Sequence, residues 1–105
     1  MAEANQEKKI REIRIIEQNL QGLIMQKQAF QIELSETKSA LKEIEKAGDE
    51  IFKVIGQLMI KTDQKKTKEE LSKKEKLLDL RLESIEKQEN SLSERLGELQ
   101  SEVFG

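Results

Sequence analysis

The chain has 105 residues with 21 acids and 19 bases, a formal net charge of −2, 38% charged and 3% aromatic positions, and no cysteine, histidine, proline, tryptophan or tyrosine. Without Cys or His there is no thiol nucleophile, imidazole base or common zinc-ligand set, so no catalytic residue, metal or cofactor is expected. Mixed charges give no large single-sign field for nucleic acid or anionic lipid, and no apolar run exceeds three residues, which excludes a membrane span or signal peptide and points to the cytoplasm.

Ala, Glu, Lys, Leu and Arg supply 55 of the 105 positions, the composition of long helices and coiled coils. The first predicted helix covers roughly residues 7–47. Alternating steps of three and four draw a seam through Ile13, Ile16, Leu20, Leu23, Lys27, Phe30, Leu34, Thr37, Leu41 and Ile44, the 3.5-residue period of a coiled coil. Gly48 stands where a helix often ends in the left-handed conformation.

Between the helices, residues 51–62 hold two short apolar runs, Ile51-Phe52-Lys53-Val54-Ile55 and Leu58-Met59-Ile60-Lys61-Thr62, separated by Gly56-Gln57. Glycine at the first central position suits a two-residue type II′ turn, so this segment is read as a β-hairpin; an irregular apolar loop is the competing reading. Thr62 or Asp63 can cap a second helix, and Thr67 with Glu70 offers a capping box one turn later. That helix is predicted over about residues 64–102. Its seam runs Leu71, Glu75, Leu78, Leu82, Ile85, Glu89, Leu92, Leu96, Leu99, Val103. The fold class is thus all-α, a long antiparallel coiled-coil hairpin with a short β-hairpin in the connection, in a single domain of residues 1–105.

Folding back about Gly56-Gln57 sets Ile13 opposite Val103, Ile16 opposite Leu99, Leu20 opposite Leu96 and Leu23 opposite Leu92, and brings the basic interruption Lys27 to the acidic interruption Glu89. Such a pair fixes register more than it adds stability; the competing reading is that both side chains snorkel outward and never meet. Thr37 opposite Leu78 and Leu41 opposite Glu75 form a weaker patch that this pattern leaves unexplained.

An isolated two-stranded hairpin is marginal in water, and this one carries apolar residues on both faces, Phe52 and Val54 on one and Ile51 and Ile55 on the other. Several chains pooling hairpins into one shared sheet or barrel would cover both faces and the open edges, so an oligomer is expected. At the far end, Ile10, Ile15, Val103 and Phe104 lie where the partner helix cannot cover them fully. They suit either weak capture of other apolar chains or an ordinary frayed helix end. The seven lysines of residues 61–76 are interleaved with four acids and lack arginine, which fits a solvated helix face better than base reading.

The order of these features around one hairpin resembles the beta-type subunit of the prefoldin family. The matching segments are Gln26-Lys27-Gln28, Leu34 to Lys46, the hairpin Phe52 to Thr62, and Leu78 to Gln100 with Glu86-Lys87-Gln88-Glu89. The resemblance implies a cytoplasmic, ATP-independent co-chaperone assembled with a prefoldin alpha subunit and other beta subunits as a hetero-hexamer. In it the hairpins join an intersubunit β-barrel, and the coiled-coil tips hold unfolded client proteins for delivery to a group II chaperonin. By position, Ile51, Phe52, Val54, Ile55, Leu58, Met59 and Ile60 would serve assembly. Ile10, Ile13, Ile15, Ile16, Leu96, Leu99, Val103 and Phe104 would line the client-binding tip, and Lys27 with Glu89 would set the register. A structural coiled-coil adaptor docking a single folded partner is the alternative that the residues leave open.

Overall fold

A computed structural model describes residues 2–47 and 50–105. The element order is α1 (Ala2–Lys46), β1 (Glu50–Ile55), β2 (Leu58–Asp63) and α2 (Gln64–Phe104). Both helices outrun the apolar pattern. α1 starts ahead of residue 7 because Ala2, Glu3, Ala4 and Gln6 are good helix formers with no breaker among them, and α2 continues past residue 102 to Phe104. Each strand likewise extends one residue beyond the predicted 51–62 segment. Gly48, the expected end of the first helix, lies outside the described residues.

β1 and β2 form a two-stranded antiparallel sheet in which Ile51 pairs with Thr62, Lys53 with Ile60 and Ile55 with Leu58. Gly56 and Gln57 are therefore the two turn residues. Gly56 has φ +61°, and no described non-glycine residue has a positive φ. A positive φ at the first central residue alone is the type II′ pattern; type I′ would require it at both.

The chain divides into two compact units, Met1–Ala29 with Leu82–Gly105, and Phe30–Arg81. In the first, Ile13, Ile16 and Leu99 form the buried core, and Leu20, Leu92, Leu96 and Val103 pack against it. The ion pairs Lys9–Glu102 and Glu12–Arg95 run in opposite senses along the two segments, which makes them antiparallel.

The second unit contains the hairpin and the facing parts of both helices. Among its described residues, Leu78 and Thr37 are buried. The Thr37 hydroxyl donates to the Glu33 carbonyl at 2.8 Å, so a polar residue is buried here with its hydrogen bond satisfied within the helix. This accounts for Thr37 in the weak patch of the seam. The Arg81 guanidinium lies over the Phe30 ring, 5.6 Å from its centroid. Lys74 pairs with Glu33 at 3.0 Å and Lys68 with Glu45 at 3.6 Å.

The junction is tied by side chains. Asp63 caps α2, its Oδ1 accepting from the Lys66 backbone N–H at 2.6 Å. Thr67 is inside the helix and its hydroxyl meets that of Thr62 at 3.3 Å, so the later capping box does not start the helix. Gln64 Nε2 donates to the Ile44 carbonyl at 2.6 Å and to that of Ala47 at 3.4 Å, supplying partners to carbonyls that the end of α1 leaves open. Every seam position on both helices is buried or half-buried.

Candidate functional site

In the first unit the residues expected at the tip fall into three environments. Ile13, Ile16 and Leu99 are 6%, 5% and 0% exposed and make the core of the helix pair, not its surface. The cause is the 3.5-residue period, which turns these positions onto the facing helix. Leu96 and Val103 are half-buried against that core, and Ile10 is half-buried as well. Ile15 and Phe104 are 57% and 74% exposed and offer apolar surface directly to solvent.

The flanks of this core are closed by charge. Arg95 donates to both carboxylate oxygens of Glu12, through Nε at 3.1 Å and a terminal nitrogen at 3.4 Å, and to Glu98 at 3.4 Å. The hydrogen bond and charge of Glu12 raise the Arg95 pKa further above its ordinary value, so the guanidinium stays charged throughout the physiological range. Lys9 pairs with Glu102 at 3.1 Å nearer the chain ends. Glu7, Ile10, Arg11 and Arg14 line a small open depression of about 260 Å³ on α1.

Deeper in the same unit, Lys27 and Glu89 meet. Lys27 Nζ donates to Glu89 Oε2 at 3.3 Å and lies 3.1 Å from Oε1. The contact with Oε1 is an ion-pair contact outside hydrogen-bond geometry, and this oxygen is buried without a hydrogen bond. Its nearest compensation is therefore the ammonium charge alone.

In the second unit the hairpin presents Phe52, Leu58, Met59 and Ile60 to solvent, with Ile51 half-buried. The side chains of Val54 and Ile55 lie outside the described residues. The sheet has two strands, so the outer backbone edge of each lacks a ladder partner within it. Exposed apolar side chains and open edges in one short element are the physical description of a strand-pairing surface.

The seam pattern missed apolar residues that lie off its ladder. Ile24, Met25, Ile32, Leu77 and Leu80 are all exposed. Their signal was in the sequence as apolar positions that the three-four stepping passes over.

Two long helices packed antiparallel around a 3.5-residue seam, with a solvent-facing β-hairpin between them, define a coiled-coil hairpin protein. The sequence matches the prefoldin subunit family over residues 7–104, and the chain belongs to that family of chaperone cofactors. It is 47% identical to prefoldin subunit beta of Thermococcus onnurineus over 89 residues, covering 83% of this chain and 77% of the relative. It is 35% identical to prefoldin subunit beta of Methanosarcina acetivorans over 96 residues, covering 90% and 82%. Its fold is similar to the crystal structure of the prefoldin beta subunit from Thermococcus strain KS-1, with a TM-score of 0.85, 37% identity and coverage of 94% of this chain and 89% of that one. No described helix is long and apolar enough to cross a membrane, and among the described residues no group of acidic side chains could hold a metal ion.

Proposed function

We propose that this chain is the beta-type subunit of a non-enzymatic, ATP-independent holdase of the cytoplasm. It assembles with a prefoldin alpha subunit and further beta subunits as a hetero-hexamer, holds unfolded client proteins at its helical tips, and passes them to a group II chaperonin. The observation that carries the client-binding part is the exposure of Ile15 and Phe104 in the unit that also holds half-buried Ile10, Leu96 and Val103. Apolar patches on an otherwise charged surface favour weak, unselective contact with apolar segments. Ile13, Ile16 and Leu99 take the supporting role of holding the two helices together, which keeps those residues in place.

The assembly part rests on Phe52, Leu58, Met59 and Ile60, whose exposed side chains and open strand edges would be covered when hairpins are pooled. Lys27 and Glu89 set the register of the arm. Light scattering with and without an alpha-type subunit, and then suppression of aggregation of a denatured protein, tests both parts. A defined hetero-oligomer that protects several unrelated clients, and loses that protection in Ile15→Ser/Phe104→Ser while keeping its size, supports the holdase. Saturable binding to one folded partner, with no protection of denatured clients, would instead establish the adaptor.

A further inference from the structure

The start of α2 carries Lys65, Lys66, Lys68, Lys73, Lys74 and Lys76, and these divide by side. Lys68 and Lys74 turn toward α1 and pair with Glu45 and Glu33. Lys65, Lys66, Lys73 and Lys76 are exposed and, among the described residues, have no carboxylate within ion-pair distance. At about 100° per residue, these four fall within roughly 120° of arc together with Leu77 and Leu80. That arc faces away from the seam positions Leu71, Glu75 and Leu78. Over residues 65–80 Glu69 is the one carboxylate within it, Glu83 one turn beyond Leu80 shares the arc and pairs with Lys87 at 3.6 Å, and Glu70 at the edge is held by Lys53 at 3.4 Å.

This face has shape as well as charge. Lys65, Glu69, Lys73 and Lys76 line one side of a shallow open depression of about 410 Å³ that reaches past this face to Ser72 and to Lys68, the lysine paired with Glu45, and is walled largely by lysine methylene stems. Immediately beyond it Leu77 and Leu80 are exposed, one helical step apart. A chain with more acids than bases thus leaves four cations without an ion-pair partner among the described residues on one side of a single helix, and that stripe ends in two leucines.

We propose that this face of α2 docks an acidic segment of another polypeptide, seating an apolar side chain of that segment against Leu77 and Leu80. Charge complementarity selects the occupant. Lysine is a flexible point charge that meets a carboxylate without demanding bidentate geometry, and the stripe has no arginine for base or phosphate forks. It also has no aromatic ring on which a base could stack. Glu69 in the middle of the stripe opposes a continuous phosphate backbone, whereas a peptide can set a neutral or basic residue there. The leucine pair gives the apolar contact that a purely ionic surface lacks.

The test is fluorescence anisotropy on the full chain in its native assembly, with synthetic peptides as probes. The first probe is rich in Asp and Glu with two leucines one helical turn apart. The second replaces its acids by Gln and Asn, and the third is a single-stranded oligonucleotide of equal charge. The acidic peptide is expected to bind in a salt-sensitive manner. Affinity should fall about tenfold in Lys65→Glu/Lys73→Glu/Lys76→Glu and several-fold in Leu77→Ser/Leu80→Ser, with helicity and assembly size unchanged. Equal binding of the neutral peptide, tighter binding of the oligonucleotide, or indifference to charge reversal overturns the proposal. If charge reversal disturbs folding, Lys65→Gln/Lys73→Gln/Lys76→Gln decides: unchanged affinity in that folded variant overturns it. The Ile15→Ser/Phe104→Ser chain must bind the acidic peptide as the parent does; loss of binding there would mean that the peptide is held as an ordinary client and would also overturn the proposal.

Discussion

Removing Lys27 should destabilise the first unit more than removing Glu89, and removing both should be nearly harmless. The Lys27 side chain is 29% exposed and that of Glu89 18%, between the fully buried and the surface case. Breaking a fully buried ion pair costs about 3–5 kcal/mol and an exposed one less than about 1 kcal/mol. Lys27→Met strands the buried Glu89 Oε1, which already lacks a hydrogen bond, so a loss of about 2 kcal/mol is expected. Glu89→Leu leaves a lysine whose four-carbon stem can carry its ammonium to water, so its loss should be nearer 1 kcal/mol. The double variant makes the seam continuously apolar and should fall within about 1 kcal/mol of the parent.

The coupling energy is then about 2–3 kcal/mol. Urea unfolding monitored by helical circular dichroism measures it, with protein concentration held fixed because association shifts apparent stability. The exchanged pair, Lys27→Glu with Glu89→Lys, should recover much of what either single change removes. Additive losses around the cycle, or equal losses for the two single variants, would refute the argument that this pair is coupled and asymmetrically buried.

The same geometry makes three further outcomes measurable. A Cβ added at Gly22 or Gly97 meets no atom within 4 Å, so Gly22→Ala and Gly97→Ala should each raise helix stability by about 1 kcal/mol, read as a higher Tm; a lower Tm would mean that a specific backbone adjustment requires glycine there. Phe52→Asp or Ile60→Asp should abolish assembly while leaving the helical signal intact, and retention of the full oligomer by both variants in light scattering would end the shared-barrel reading. Asp63→Ala should cost about 1 kcal/mol through loss of the 2.6 Å cap to Lys66, whereas Thr67→Ala should cost less, since Thr67 is not at the helix start.

Periodicity made the helix pair legible because a 3.5-residue seam has one geometric solution, and Gly-Gln between two apolar runs specified the turn through the positive φ that Gly56 adopts. Charge made the Lys27–Glu89 contact legible, since two interruptions of opposite sign shared one register. Other features had no such periodic signature. Gln64 reaching the carbonyls of Ile44 and Ala47 depends on the path of the connection, and Thr37 bonding back to Glu33 converts an apparent gap in the seam into a satisfied buried residue. Apolarity alone also could not separate Ile15 from Ile16. One residue of helical rotation, about 100°, takes the side chain from 57% exposed to 5%.

That single step of rotation constrains how the proposed tip could hold another chain. Exposing Ile13, Ile16 and Leu99 would require the helix ends to separate and would return three core side chains to water at a cost of roughly 5–9 kcal/mol before any contact with a client formed. The flanking pairs Lys9–Glu102 and Glu12–Arg95 would have to part as well. Contact through Ile15 and Phe104, with the exposed parts of half-buried Ile10, Leu96 and Val103, carries none of this opening cost, because Ile13, Ile16 and Leu99 stay covered. A small apolar contact that leaves the helix pair intact binds weakly and releases readily, so firm retention of a client would have to come from several tips acting on one chain.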